Sequence, residues 1–230
     1  MPQRRKFVPR TRRPKRAVRR PARSKRATIT RNVGGAFPDR LYTTLKYVQQ
    51  ENLSYTGLGA IALKQFRLNG LYDPDYSGIG HQPYGYDQLT PLYGRYLVYG
   101  CKYSCQFTNT STLMQADVAL QVRPNTTVFT TWNTLCEAQY SNKRVLGIEG
   151  GRSMQTIKGY TSIAKAFGQT KATVRTDDTF QSLVSTNPTR PPTLTIYVKS
   201  LDTATSTAVY CLTTLQYYCV FYDRVAYGGS

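Results

Sequence analysis

Apolar and polar residues alternate with period two along most of the chain beyond residue 42, the spacing of strands with one face in a core. It predicts a first strand over 43–56, where Leu45, Tyr47, Leu53 and Tyr55 share one parity and the polar Gln49 and Glu51 interrupt them. Gly57 and Gly59 suit a turn into a second strand over 60–68, with Ala60, Ala62, Phe66 and Leu68 on one side and Lys64 intruding. The clearest run is 95–107, where Leu97, Tyr99, Cys101, Tyr103, Cys105 and Phe107 are placed on one face. Residues 114–123 repeat the pattern, with Met114, Ala116, Val118, Leu120 and Val122 inward. Weaker strands are expected at 143–149 and 154–166. Another carries Leu194, Ile196 and Val198, and a last one spans 208–222 with Val209, Cys211, Leu215, Tyr217, Cys219 and Phe221 inward. Helical spacing occurs at 130–140 and again after Asp177-Asp178, where Phe180, Leu183 and Val184 fall at i, i+3 and i+4.

These elements make eight half-buried strands without a βαβ rhythm. Such strands pack as two facing sheets. Their long connections fit an eight-stranded antiparallel jelly-roll sandwich better than an up-and-down barrel. The fold class is therefore all-β. An abundance of Tyr, with 19 copies beside eight Phe and one Trp, agrees, because Tyr favours strands and pairs a buried ring with a bonded hydroxyl.

Charge changes the picture at the amino terminus. The first 31 residues hold Arg4, Arg5, Lys6, Arg10, Arg12, Arg13, Lys15, Arg16, Arg19, Arg20, Arg23, Lys25, Arg26 and Arg31, with no Asp or Glu. The whole chain carries +19, and 17 basic against 12 acidic residues remain after Arg31, a net +5. The basicity is thus confined to one stretch, which predicts a disordered arm that awaits a polyanion. Expected boundaries are an arm at 1–31, a hinge at 32–42, a folded domain at 43–226 and a tail at 227–230. Arg and Lys bind phosphates whatever the base sequence, so these fourteen residues are the candidate nucleic-acid-binding set. No apolar run reaches 18 residues, and no membrane insertion is expected. The five cysteines, an odd number, read as free thiols.

Residues 69–94 form a long segment rich in Gly, Pro and Tyr, and long irregular loops commonly have a function. Its candidate subunit-contact and structural residues are Tyr76, His81, Gln82, Tyr84, Tyr86, Asp87 and Tyr93. His81 lies near Asp87, but no Ser or Cys nucleophile stands in a recognisable motif, so no catalytic residue and no enzyme activity are assigned. Asp73 and Asp75 could serve an oxygen-ligand cation site or, more simply, an Asx turn. Cys101, Cys105, Cys211 and Cys219 lack zinc-site spacing and have one histidine in the whole chain to join them. No metal or cofactor is assigned.

The stretch 78–100, GIGHQPYGYDQLTPLYGRYLVYG, resembles capsid proteins of small circular Rep-encoding single-stranded DNA viruses, the circovirus-like group. Gly80-His81-Gln82-Pro83, Tyr86-Asp87-Gln88, Tyr93 and Tyr96-Leu97-Val98 carry the resemblance. It implies a single jelly roll, about sixty copies closed into an icosahedral (T=1) shell, and a basic arm that lies against the DNA genome and acts as a nuclear localisation signal. Virion and host nucleus would then be its locations, and import receptors and a host surface receptor its further partners. A jelly-roll capsid protein of a small RNA virus matches every other feature equally well. A ribosomal or chromosomal-type nucleic-acid-binding protein would share the tail but usually spreads its cations over the folded part too.

Overall fold

The computed structural model describes residues 37–55, 60–201 and 207–225. The strands are β1 (Leu41–Tyr55), β2 (Ile61–Arg67), β3 (Tyr93–Asn109), β4 (Ala116–Arg123), β5 (Ser141–Leu146), β6 (Met154–Ser162), β7 (Gln181–Leu183), β8 (Thr193–Ser200) and β9 (Thr207–Arg224). Four short helices intervene, α1 (Tyr86–Leu89), α2 (Trp132–Glu137), α3 (Ile163–Ala166) and α4 (Lys171–Thr176). One sheet has the order β1-β9-β3-β6 with β7 against β3, and the other has the order β2-β8-β4-β5. All pairings are antiparallel. With β7 set aside, the pairs nest: β1 with β9, β2 with β8, β3 with β6, β4 with β5. That nesting is the jelly roll, two Greek keys rolled into a double sheet. The strand count is nine rather than eight.

The inner faces meet in one apolar core. From β9 it receives Val209, Cys211, Leu215, Tyr217, Cys219 and Phe221, all buried, so the expected parity of this strand holds through its length. That of β3 does not. A bulge between Val98 and Gly100 shifts its register against β9. Below the bulge Tyr96 and Val98 pair with the inward Phe221 and Cys219, and above it Cys101, Cys105 and Phe107 pair with Tyr217, Thr213 and Cys211. The bulge absorbs one residue and exchanges inward parity from even to odd. Tyr99 therefore leaves the expected face and lies half-buried against Tyr42, their rings stacked at 6.2 Å.

Two further expectations are corrected. The strand over 154–166 ends at Ser162, and α3 follows. Ile163 and Ala164 are both buried, and a helical turn can bury adjacent residues that a strand would split between faces. Helical structure precedes Asp177 instead of following it. Thr170 caps α4 by accepting the Thr173 N–H at 3.1 Å, and Val174 supplies the buried contact. The Asp177 carboxylate accepts the Thr179 N–H at 2.9 Å in an Asx turn. The chain then enters β7, because β6 pairs with β3 only over Gly100–Thr108 and leaves the Arg95–Leu97 edge to be filled.

The outer faces differ. Residues 124–137 cover the β2-β8-β4-β5 sheet, where Ala119, Leu135 and Tyr197 form a second small cluster with Val128, Phe129 and Trp132 packed on it. The outer face of the β1-β9-β3-β6 sheet carries Tyr42, Lys46, Lys102, Lys158, Tyr160, Tyr210 and Tyr218, all exposed.

Candidate functional site

All fourteen cations of the arm fall outside the described residues, as do residues 32–36 of the hinge, the 57–59 turn and the 227–230 tail. The other candidates lie in the segment 69–94, which the structure turns into an edge cover. Its residues 74–76 lie along β2: the Arg67 N–H donates to the Pro74 carbonyl at 2.7 Å and the Tyr76 N–H donates to the Gln65 carbonyl at 3.0 Å. Eight residues on, the Tyr84 N–H donates to the Lys46 carbonyl of β1 at 3.2 Å. β1 and β2 end their respective sheets, so one loop occupies two edges that would otherwise offer unpaired backbone groups.

The tyrosines of this region divide by role. Tyr86, Tyr93 and Tyr96 are wholly buried, and each hydroxyl donates to a main-chain carbonyl: Val184 at 2.6 Å, Pro38 at 2.8 Å and Thr186 at 2.9 Å. The Tyr96 hydroxyl also accepts the Leu71 N–H at 3.2 Å, and burial pushes it up to about 12. These groups fix the loop from within. Tyr72, Tyr76 and Tyr84 are exposed, Tyr84 at 92%. Asp87 and His81 are exposed and Gln82 is half-buried. Ile79, at 85%, is nearly as open as Tyr84.

The Gly-His-Gln-Pro motif has a packing basis. A Cβ on Gly80 would lie 2.6 Å from the Asp75 Cβ and 2.9 Å from the Tyr47 hydroxyl, so only glycine lets the chain pass so close. His81 then stacks on the Tyr47 ring at 4.5 Å. Pro83 is buried, and its carbonyl accepts the Tyr86 N–H at 3.0 Å to start α1. The His81 imidazole is thus held by an aromatic face. Gly85, at φ +88°, supplies the left-handed residue that turns the chain into that helix.

The polar residues that interrupt the first two strands converge beneath this motif. Tyr47 donates to Gln49, Gln49 donates to Glu51, and Lys64 makes ion pairs with Glu51 at 2.8 Å and Asp75 at 2.7 Å. Gln49 also donates to Asp75 at 3.2 Å. Arg67 reaches the Asp73 carboxylate at 3.3 Å, donates to the Asp73 and Asp75 carbonyls, and lies 4.6 Å from the centre of the Tyr76 ring. Asp75 also accepts the Ser77 N–H at 2.9 Å in an Asx turn. The protein's own cations therefore occupy the positions a bound ion would take at Asp73 and Asp75. Burial pushes Asp75 up, but the bonds from Lys64, Ser77 and Gln49 more than reverse this and hold it below the ordinary carboxylate range. Asp73 is raised, chiefly by burial and then by the charge of Asp75, against the pull of Arg67. Lys64 is raised, since its bonds to Asp75 and Glu51 outweigh its burial. Gln49, Glu51 and Lys64 were visible as breaks in apolar parity, a signal that marks them as partners of something. Nothing in the spacing linked them to Asp75.

Cys101, Cys105, Cys211 and Cys219 are free and buried in the core. Burial raises Cys101 and Cys219, the latter up to about 12, so they behave as small apolar groups and not as thiolate nucleophiles. Among the described residues no three His, Cys, Asp or Glu side chains gather as a metal site, and no helix is long and apolar enough to cross a membrane.

No protein-family model and no curated protein matches the chain. Solved structures do. The structure of Cocksfoot mottle virus is similar at a TM-score of 0.49 and 10% identity, over 80% of this chain and 96% of that one. The semi-empty virus-like particle of the nodavirus of the giant freshwater prawn Macrobrachium rosenbergii gives 0.47 and 11%, over 85% and 100%. The decameric BFDV capsid protein gives 0.42 and 12%, over 79% and 99%.

Proposed function

We propose that this protein is the subunit of a small viral shell and packages single-stranded DNA with its basic arm. The observation that carries the proposal is the partition of charge. Fourteen cations without a carboxylate precede a nested jelly roll whose sequence from residue 32 on carries only +5. A rigid, nearly neutral sandwich suits repeated contacts between copies, and a separate cationic stretch suits a polyanion enclosed by them. In a shell of about sixty copies, the arms bring on the order of 840 positive charges to the genome and release its counterions. The core supplies subunit contacts through loops such as 69–94, with Tyr76, Ile79 and Tyr84 at their tips. The role is structural and uses no reaction. Preference for DNA over RNA rests on the resemblance at 78–100. The same arm suits import into the host nucleus before assembly.

Purified protein examined by electron microscopy is expected to form uniform closed particles whose nucleic acid resists external nuclease and, after disruption, is destroyed by DNase and spared by RNase. A monomer at every salt concentration overturns the shell. RNase-sensitive contents overturn the DNA reading alone. Deleting residues 1–31 is expected to abolish packaging and flatten the salt dependence of nucleic-acid binding.

A further inference from the structure

The outer face of the β1-β9-β3-β6 sheet is a second cationic surface, built on rigid strands. Lys46 and Lys102 stand in one cross-strand row, both paired with Gln216, and Lys158 lies one row further, opposite Ser104. All three are exposed. The exposed Asp223 near the end of β9 is paired with Arg95 at 3.8 Å; no other Asp or Glu is exposed on β1, β6 or β9, or on β3 beyond its bulge, and none of the three lysines makes an ion pair among the described residues.

Flat aromatic rings stand among these charges. Tyr160 is opposite Lys102, and its ring meets that of Tyr218 edge-on at 6.0 Å. Gly100 makes this possible, because a side chain there would collide with the Tyr160 hydroxyl. Tyr42, at 60% exposure, stacks on Tyr99, and the Arg175 guanidinium lies 5.3 Å from the centre of the Tyr99 ring. Between Tyr99 and Tyr160 a cavity of about 150 Å³ is rimmed by Lys171 and Arg175.

We infer that this face binds single-stranded DNA, with bases against Tyr42, Tyr160 and Tyr218 and phosphates on Lys46, Lys102, Lys158 and the Lys171–Arg175 rim. The inference rests on the packaging function proposed above and adds to it a contact layer on the folded domain. The charge favours a nucleic acid over a second copy of the chain: covering three unpaired lysines with protein requires facing carboxylates, whereas a single strand brings phosphates and stacking faces together. A sheet that displays aromatic rings between cations is a physical solution to binding unpaired bases without reading their sequence.

The test uses the full chain and an oligothymidylate carrying 5-iodouracil. Photocrosslinks are expected at Tyr160, Tyr218 or Tyr42 in addition to the arm. Replacing Lys46, Lys102 and Lys158 together by Gln is expected to lower the slope of log affinity against log salt by about 2. Tyr218→Ala is expected to weaken binding roughly tenfold while its thermal midpoint stays near that of the wild type. Crosslinks confined to residues 1–31, or protection of this face from hydrogen exchange in particles emptied of nucleic acid, overturn the inference and leave arm-based packaging intact. A full chain that binds no oligonucleotide removes the packaging reading itself.

Discussion

Tyr197 and Tyr218 both point away from the core of the sandwich, one from each sheet. Tyr197 is completely buried, while Tyr218 keeps 36% of its surface in water. The strands do not cause the difference; the chain beyond β4 does. Residues 124–137 fold over β8, so that the Tyr197 ring packs with Leu135 and Ala119 and its hydroxyl accepts the Phe129 N–H at 3.2 Å. Thr193 on the same face donates to the Asn125 carbonyl. Among the described residues no comparable segment crosses β9, whose outward Tyr210, Leu212 and Tyr218 remain exposed. One sheet thus has two cores and supports the domain. The other has one core and a face free for a partner.

The largest test of this contrast is truncation on each face. Tyr197→Ala is expected to destabilise the domain by about 3–5 kcal/mol, the range for removing a fully packed aromatic ring. Tyr218→Ala is expected to cost about 1 kcal/mol, the worth of its edge-on pair with Tyr160. Denaturant unfolding of the dissociated protein measures both, and equal losses would mean that the β9 face is covered as well.

A smaller effect lies at the loop-covered edge, where the interior is not apolar. Lys64→Met leaves Glu51 and Asp75 without their cation. The expected loss is about 2–3 kcal/mol, below the range for a fully buried pair because the Lys64 and Glu51 side chains keep 14% and 19% exposure. Its pH dependence follows from Asp75. The folded protein holds this carboxyl below its ordinary value, so its stabilising contribution is complete above that value and fades as pH falls through it. The gap between wild type and Lys64→Met is therefore expected to be widest near neutrality and to narrow below about pH 4. Asp73 has the opposite sign: its raised value makes protonation favour the fold, which offsets part of the acid loss in both proteins. A gap that widened on acidification would show that Lys64 stabilises by packing instead of charge.

Much of this was legible in the residues. The inward parity of β9 is plain from Val209 to Phe221. The bulge in β3 was hidden because Tyr99 is apolar and continues the alternation that the backbone breaks. The second core was hidden for a related reason. Thr193 and Thr195 read as solvent-facing residues, and only the tertiary position of 124–137 buries them. Tyr86 and Tyr93 stood in one candidate set with Tyr76 and Tyr84, undivided between subunit contact and internal structure. Separating them needed the main-chain carbonyls of Pro38 and Val184, far off in sequence, which their hydroxyls reach.

The finest test removes a single oxygen from each face. Tyr197→Phe keeps the ring and withdraws the acceptor from the N–H of Phe129, which is itself half-buried. A loss of about 1 kcal/mol is expected, the net worth of one such bond. Hydrogen exchange at the Phe129 amide should accelerate as the covering segment loosens. Tyr218→Phe removes a hydroxyl from an exposed ring and should change stability by less than about 0.5 kcal/mol. Base stacking uses the ring and not the oxygen, so Tyr218→Phe should also retain oligothymidylate binding that Tyr218→Ala loses. If the Phe variant bound as poorly as the Ala variant, the contact at that position would be a hydrogen bond to the strand, and β9 would present polar readout instead of a stacking surface.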